Sequence, residues 1–178
     1  MIIFGKILRS AKLFRRNRDG ATAVEFTLLA LPFFLIVFAI IETSISYTTE
    51  QYMSNVAERV AREIRTGQVT SASFTKDGFR TEICNRLQAL ASPNCEGMSV
   101  DVRSYGSFSA VPKGINVVNG VVDTNGWDFK PGGSSTINSI RIAYEWPVYT
   151  DLMRRYFTGL DNGKNLLYAS TTWQNEPF

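Results

Sequence analysis

The chain of 178 residues contains no histidine and only two cysteines, Cys84 and Cys95. Without histidine neither a Ser-His-Asp nor a Cys-His catalytic arrangement can be assembled, and the commonest zinc ligand is missing. Neither cysteine lies near the N-terminal apolar segment, which excludes a lipoprotein anchor. A non-enzymatic protein with no cofactor and no metal is therefore expected. A second scarcity is local: between residues 21 and 41 the one ionisable side chain is Glu25. As a helix that stretch rises about 31 Å, enough to cross a bilayer core of about 30 Å.

Charge is distributed unevenly around this run. Residues 1–20 hold six basic side chains (Lys6, Arg9, Lys12, Arg15, Arg16, Arg18) against Asp19, a net +5, while the remainder is −2 with 13 basic and 15 acidic residues. A basic cluster can serve nucleic acid, but beside a spanning segment the commoner reason is topology, with Lys and Arg kept on the cytoplasmic side. No nucleic-acid partner is expected. The apolar side chains among those first residues could form an amphipathic helix on the inner leaflet. Arg15 and Arg16 are followed by polar residues and not by an apolar run, which argues against a twin-arginine export signal.

At the junction of leader and run stand Gly20, Ala21, Glu25 and Phe26. This arrangement resembles the processing site of type IV-like prepilins, and most closely the TadE-like pseudopilins of tight adherence (Tad or Flp) pilus systems. The resemblance is strongest over residues 15–66, with a weaker echo in the ending Asn175, Glu176, Pro177, Phe178. It implies cleavage between Gly20 and Ala21 by a prepilin peptidase. It also implies a bacterial inner-membrane protein, crossing once, with its N-terminus cytoplasmic and its C-terminal domain periplasmic. The partners it implies are other pilins or pseudopilins, the Tad assembly machinery and membrane lipid. A new α-ammonium on Ala21 would sit one turn from Glu25, and the pair, or a neighbouring subunit's equivalent, would supply a docking charge in an apolar setting. The competing reading is an ordinary secretory signal over residues 1–46, with Ser44 and Ser46 as the small residues of a cut before Tyr47, delivering an unrelated periplasmic binding domain. The 16 residues of 26–41 are at or beyond the usual length of a signal core.

Beyond Glu42, which ends the run and reads as an interfacial acid, helical periodicity continues through Ile45, Tyr52, Val56, Val60 and Ile64 to a C-capping Gly67. The expected organisation is a leader at 1–20, a spanning helix with its extension at 21–66, and an exported α+β domain at 67–178. That domain should hold a helix over about 75–91, with Phe79, Ile83, Leu87 and Leu90 buried, then strands starting near Met98, Ile140 and Leu166 in a small antiparallel sheet. Between them, residues 106–136 read as an irregular, glycine-rich excursion with a hairpin around Asn119-Gly120, and residues 151–157 as a helical turn. Tyr144, Trp146, Tyr149, Tyr156, Phe157, Tyr168 and Trp173 read as core and strand-pair residues. Cys84 and Cys95 are either a disulfide or two buried thiols; the exported location and short loop favour the bridge. Ser73, Phe74, Thr75 and Lys76 spell a Ser-x-x-Lys pattern without its companion motifs, and the Gly132-Gly133 turn lacks the lysine of a phosphate-binding loop.

Overall fold

The structure is a computed structural model and describes residues 19–150, 153–155 and 158–178. The basic leader before Asp19 lies outside the described residues, as do 151, 152, 156 and 157 and the side chains of Asp19 and Ala21. The protein is α+β, with element order α1 (Asp19–Arg65), α2 (Lys76–Leu87), β1 (Met98–Tyr105), β2 (Val117–Val118), β3 (Val121–Val122), β4 (Phe129–Lys130), β5 (Ile137–Pro147) and β6 (Lys164–Gln174).

The first part of α1 is apolar all round and exposed. Val24, Phe26, Leu28, Leu29 and Phe33 are each more than 60% exposed. Among the described residues one helix is long and apolar enough to cross a membrane, and its most apolar window has no buried residue. Pro32 sits inside it without ending it. Thr27 donates its hydroxyl to the Ala23 carbonyl, 2.8 Å away, so that this polar side chain is satisfied within the helix, as an apolar surrounding requires.

From Thr49 onward α1 is amphipathic. Thr49, Met53, Val56, Ala57, Val60, Ala61 and Ile64 are buried, recurring at three and four. The stripe is centred differently from the expected one: Ile45 is exposed and Tyr52 only partly buried, while Thr49 and Met53 take the core positions. Thr49 can do so because its hydroxyl bonds to the Ile45 carbonyl at 2.9 Å. This stripe packs on one sheet face, against Val100, Val102, Ile140, Ile142, Tyr144, Leu167 and Trp173. Each fully buried aliphatic side chain there contributes about 1.5–3 kcal/mol.

The helix stops through a hydrogen-bonded reversal. Gly67 adopts φ +74°, its N–H meets the Ile64 carbonyl, and the Gln68 N–H meets the Glu63 carbonyl, which satisfies the last carbonyls. A Cβ on Gly67 would lie 2.8 Å from the Phe178 ring, so glycine serves both the conformation and the approach of the C-terminus. The tail is held further by the Glu176 N–H on the Arg65 carbonyl. Asn175 is buried, with its amide donating to the Gly132 and Gly133 carbonyls.

Helix α2 is capped by the Thr75 hydroxyl, which accepts the Gly78 N–H, and it buries Phe79, Ile83, Cys84 and Leu87. It ends at Leu87, one turn earlier than its apolar spacing predicts, and Leu90 is only partly buried in the turn that follows. Arg86 joins it to α1 by a two-pronged contact on Glu63, 2.8 and 3.0 Å, with Glu82 at 2.8 Å. The Glu63 hydrogen bond foremost holds this guanidinium's pKa above its ordinary value.

The sheet order is β4-β1-β5-β6, with β1, β5 and β6 antiparallel. The antiparallel expectation needs one correction. β4, only Phe129–Lys130, pairs parallel to β1 at the edge. The Asn119-Gly120 hairpin is present as a separate β2–β3 ribbon, both turn residues having positive φ as a two-residue connection demands. Residues 153–155 are helical, which leaves most of the expected 151–157 turn outside the described residues.

Candidate functional site

Three places carry the side chains that sequence spacing singled out. At the head of α1, Gly20 is exposed and a Cβ built on it meets nothing within 4 Å; its φ is not positive either. Among the described residues neither packing nor backbone conformation calls for glycine there, although glycine is a poor helix residue. Glu25 and Phe26 are exposed on the same helix, Phe26 at 71%. Ala21 and Glu25 fall one turn apart within α1, which puts them on one face. Glu25 has no hydrogen bond or ion pair among the described residues. Ala23, Val24, Thr27, Leu28 and Leu31 line a shallow apolar surface groove beside it.

The second place is Glu42, for which sequence reading offered only an interfacial location. Its carboxylate accepts the backbone N–H of Tyr149 and that of Thr150, the latter at 3.2 Å, together with the Thr150 hydroxyl. The partners are 107 and 108 residues away in sequence, which is why spacing could not find them. A small pocket lined by Glu42, Thr43, Ser46, Trp146, Val148, Met153 and Asn165 adjoins the contact. Tyr149 corrects an expectation: it is 76% exposed and not a core residue, whereas Tyr144, Trp146 and Trp173 are buried.

The third is Cys84 and Cys95, which form a disulfide with Cα atoms 5.8 Å apart, tying α2 to the turn Pro93–Cys95 that leads into β1. Arg80 reinforces that turn, donating to the Cys95 carbonyl at 2.7 Å and the Met98 carbonyl at 2.9 Å. Tyr144, from β5, donates its hydroxyl to the Ser92 hydroxyl and accepts the Ser92 N–H.

A fourth cluster went unforeseen. Asp101 is fully buried and Arg141 nearly so, joined at 2.6 Å, with Arg103 2.9 Å from the same carboxylate. The Asp128 N–H also reaches Asp101, and Trp127 covers the Arg141 guanidinium at 5.0 Å. Every strong acceptor of the carboxylate is thus used, the condition under which a buried charge is tolerated. The arrangement is a buried network whose members satisfy one another.

The motifs discounted from sequence have ordinary structural tasks. Thr75 caps α2, the Ser73 hydroxyl accepts the Thr70 N–H, and the Lys76 ammonium donates to the Trp127 carbonyl at 2.7 Å. Gly132 donates its N–H to the Asn138 side chain.

An exposed, uniformly apolar helical run long enough to cross a membrane thus leads into an amphipathic extension and a disulfide-tied α+β domain. Residues 20–62 match the family model of TadE-like proteins, and the chain carries a TadE-like segment there. Proteins of the TadE-like family are structural components of the Tad pilus system, with a minor-pilin-like role. No curated protein and no solved structure matches the chain.

Proposed function

We propose that the chain is a pseudopilin or minor pilin cut after Gly20 by a prepilin peptidase, and that it acts in assembling a Tad-type pilus used for adhesion. The observation that carries this reading is Gly20 itself. It stands at the start of the exposed apolar run and of the TadE-like match, in a helix that has no steric or conformational use for glycine. A peptidase that must admit the backbone closely does have such a use. After cleavage a new amine on Ala21 would stand one helical turn from the Glu25 carboxylate, and in an apolar surrounding the two would favour each other or a neighbouring subunit's equivalents. The leader then lies on the cytoplasmic side of the bacterial inner membrane and the domain from residue 67 in the periplasm. Its working partners are other pilins, the assembly machinery, the peptidase and lipid.

Intact mass of the protein coexpressed with an active prepilin peptidase tests this. The mass should fall by that of residues 1–20, and Gly20→Trp should abolish the change without altering the fold, because no described neighbour obstructs a side chain there. An unchanged mass with the peptidase active removes the processing claim, and a mature N-terminus at Tyr47 replaces it with ordinary secretion.

A further inference from the structure

Glu42 is the first ionisable residue after the uncharged stretch 26–41, so it marks the place in the chain where an apolar run able to enter lipid ends. Its hydrogen bonds to the Tyr149 and Thr150 backbone therefore fix a distant loop at that level. Two tyrosine rings close to this contact along the chain are exposed. Tyr149 is 76% exposed, more than any other large hydrophobic residue described, and Tyr47, five positions after Glu42, is 63% exposed. Arg155 is exposed a few residues further on. A tyrosine with its ring bare to water is poorly placed in a soluble loop, but it suits the membrane–water boundary, where the ring enters the headgroup layer and the hydroxyl stays hydrated. An exposed arginine six positions further along the chain supplies a cation suited to phosphate groups.

We propose that Tyr149, with Tyr47 and Arg155, forms a rim that rests in the phospholipid headgroup layer, anionic headgroups being favoured. Glu42 is the positioning residue that holds Tyr149 there. The occupant follows from continuity with the apolar run: whatever solvates residues 26–41 has its polar boundary beside Glu42. This inference rests on membrane anchoring but not on cleavage at Gly20.

The full chain, labelled with 3-fluorotyrosine and 4-fluorophenylalanine and placed in nanodiscs of phosphatidylcholine mixed with phosphatidylglycerol, provides the test by fluorine NMR. A lipid carrying a nitroxide on its headgroup should broaden the Tyr149 and Tyr47 resonances several-fold more than that of Tyr105. Removing phosphatidylglycerol should weaken the effect at Tyr149. Glu42→Ala should return Tyr149 towards the Tyr105 level while Tyr47, on the helix itself, stays broadened; a merely destabilising change would not separate the two. Equal broadening of Tyr149 and Tyr105 overturns the proposal, and so does protection of Tyr149 by contact with a second protein copy, detected by crosslinking. An acyl-chain nitroxide reports separately on Phe34 and Phe38: if these are not broadened, the anchoring reading itself fails, and the rim with it.

Discussion

The two parts of α1 share a backbone and differ in what they need around them. Between residues 22 and 41 apolar side chains occupy every face and nearly all are exposed; between 49 and 64 they recur at three and four and are buried, several to 1% or less. One part is hydrophobic without direction and can be covered only by a surrounding apolar medium. The other is hydrophobic in a stripe and can be covered by one sheet face. Their acids follow the same division. Glu25 is exposed in the first part, while Glu63, in the second, receives both prongs of Arg86. Hydrophobicity alone does not separate a membrane helix from a core helix; its angular distribution does.

The same substitution made in each part should break this comparison most sharply. Ile64→Asp places an unpaired carboxylate where the side chain is 1% exposed, and should destabilise the domain by about 4 kcal/mol or more. Denaturant unfolding in detergent, followed by tryptophan fluorescence, would show it, with membrane fractionation unchanged. Ile36→Asp should do the reverse. It should reduce insertion by an amount corresponding to roughly 2.5–3.5 kcal/mol at a helix centre, and leave domain unfolding where it was. Equal loss of domain stability in both variants would mean that the two parts are not covered differently.

The next effect belongs to the domain alone. Replacing Cys84 and Cys95 together by serine opens a cross-link between residues 11 apart in sequence, and loop-closure entropy puts the loss at about 3 kcal/mol. Insertion should not change. Thiol counting of the unreduced wild-type protein should find none free, and the double variant should melt markedly lower in the domain transition.

How much of this was legible beforehand depended on distance along the chain. The uncharged run, the α1 stop at Gly67, the Asn119-Gly120 turn and the alternation of β1 and β5 are local patterns, and each appears in the structure near its expected place. Alternation along β1 and β5 sets Asp101 and Arg141 on the face opposite Val100 and Ile140. It could not show that this face would be covered. The cover is the glycine-rich excursion, whose Trp127 and Val122 form a second small core with Ala143 and Leu160. A segment with so little regular pattern gives no sign of where it will lie. The β4 pairing is two residues long and parallel, below what periodicity can register. At the Glu42 end the difficulty is physical: around Ile45 the apolar pattern changes from exposed to core-facing, so one apolar residue satisfies either stripe. The carboxylate's partners lie on the far side of the domain sequence. The candidate processing residues Gly20, Ala21, Glu25 and Phe26 stand in one stretch, so proposing them needs no long-range contact.

The smallest effect sharpens the contrast between carboxylates in the two regions. Asp128 lies in the domain, and its pKa is held below the ordinary value near 3.8, first by the hydrogen bond from Lys130 at 2.6 Å and then by the Phe129 N–H. A carboxylate whose folded pKa is depressed binds protons less readily in the folded than in the unfolded chain. Its contribution is therefore complete above about pH 4 and disappears as pH falls through the depressed folded value. Asp128→Asn should remove this dependence, giving a slightly less stable domain at neutral pH and a shallower decline in melting temperature below pH 4. The exposure of Lys130 keeps the difference small. Glu25→Gln, made in the apolar part of α1 where no described partner holds the carboxylate, should leave the same acid profile unmoved. Thermal melts of the three proteins across the acid range would decide it. If the Asn variant keeps the steep wild-type decline, the Lys130 contact is not held in solution; a changed profile for the Gln variant would show that a charge in the lipid-facing part does bear on the fold of the domain.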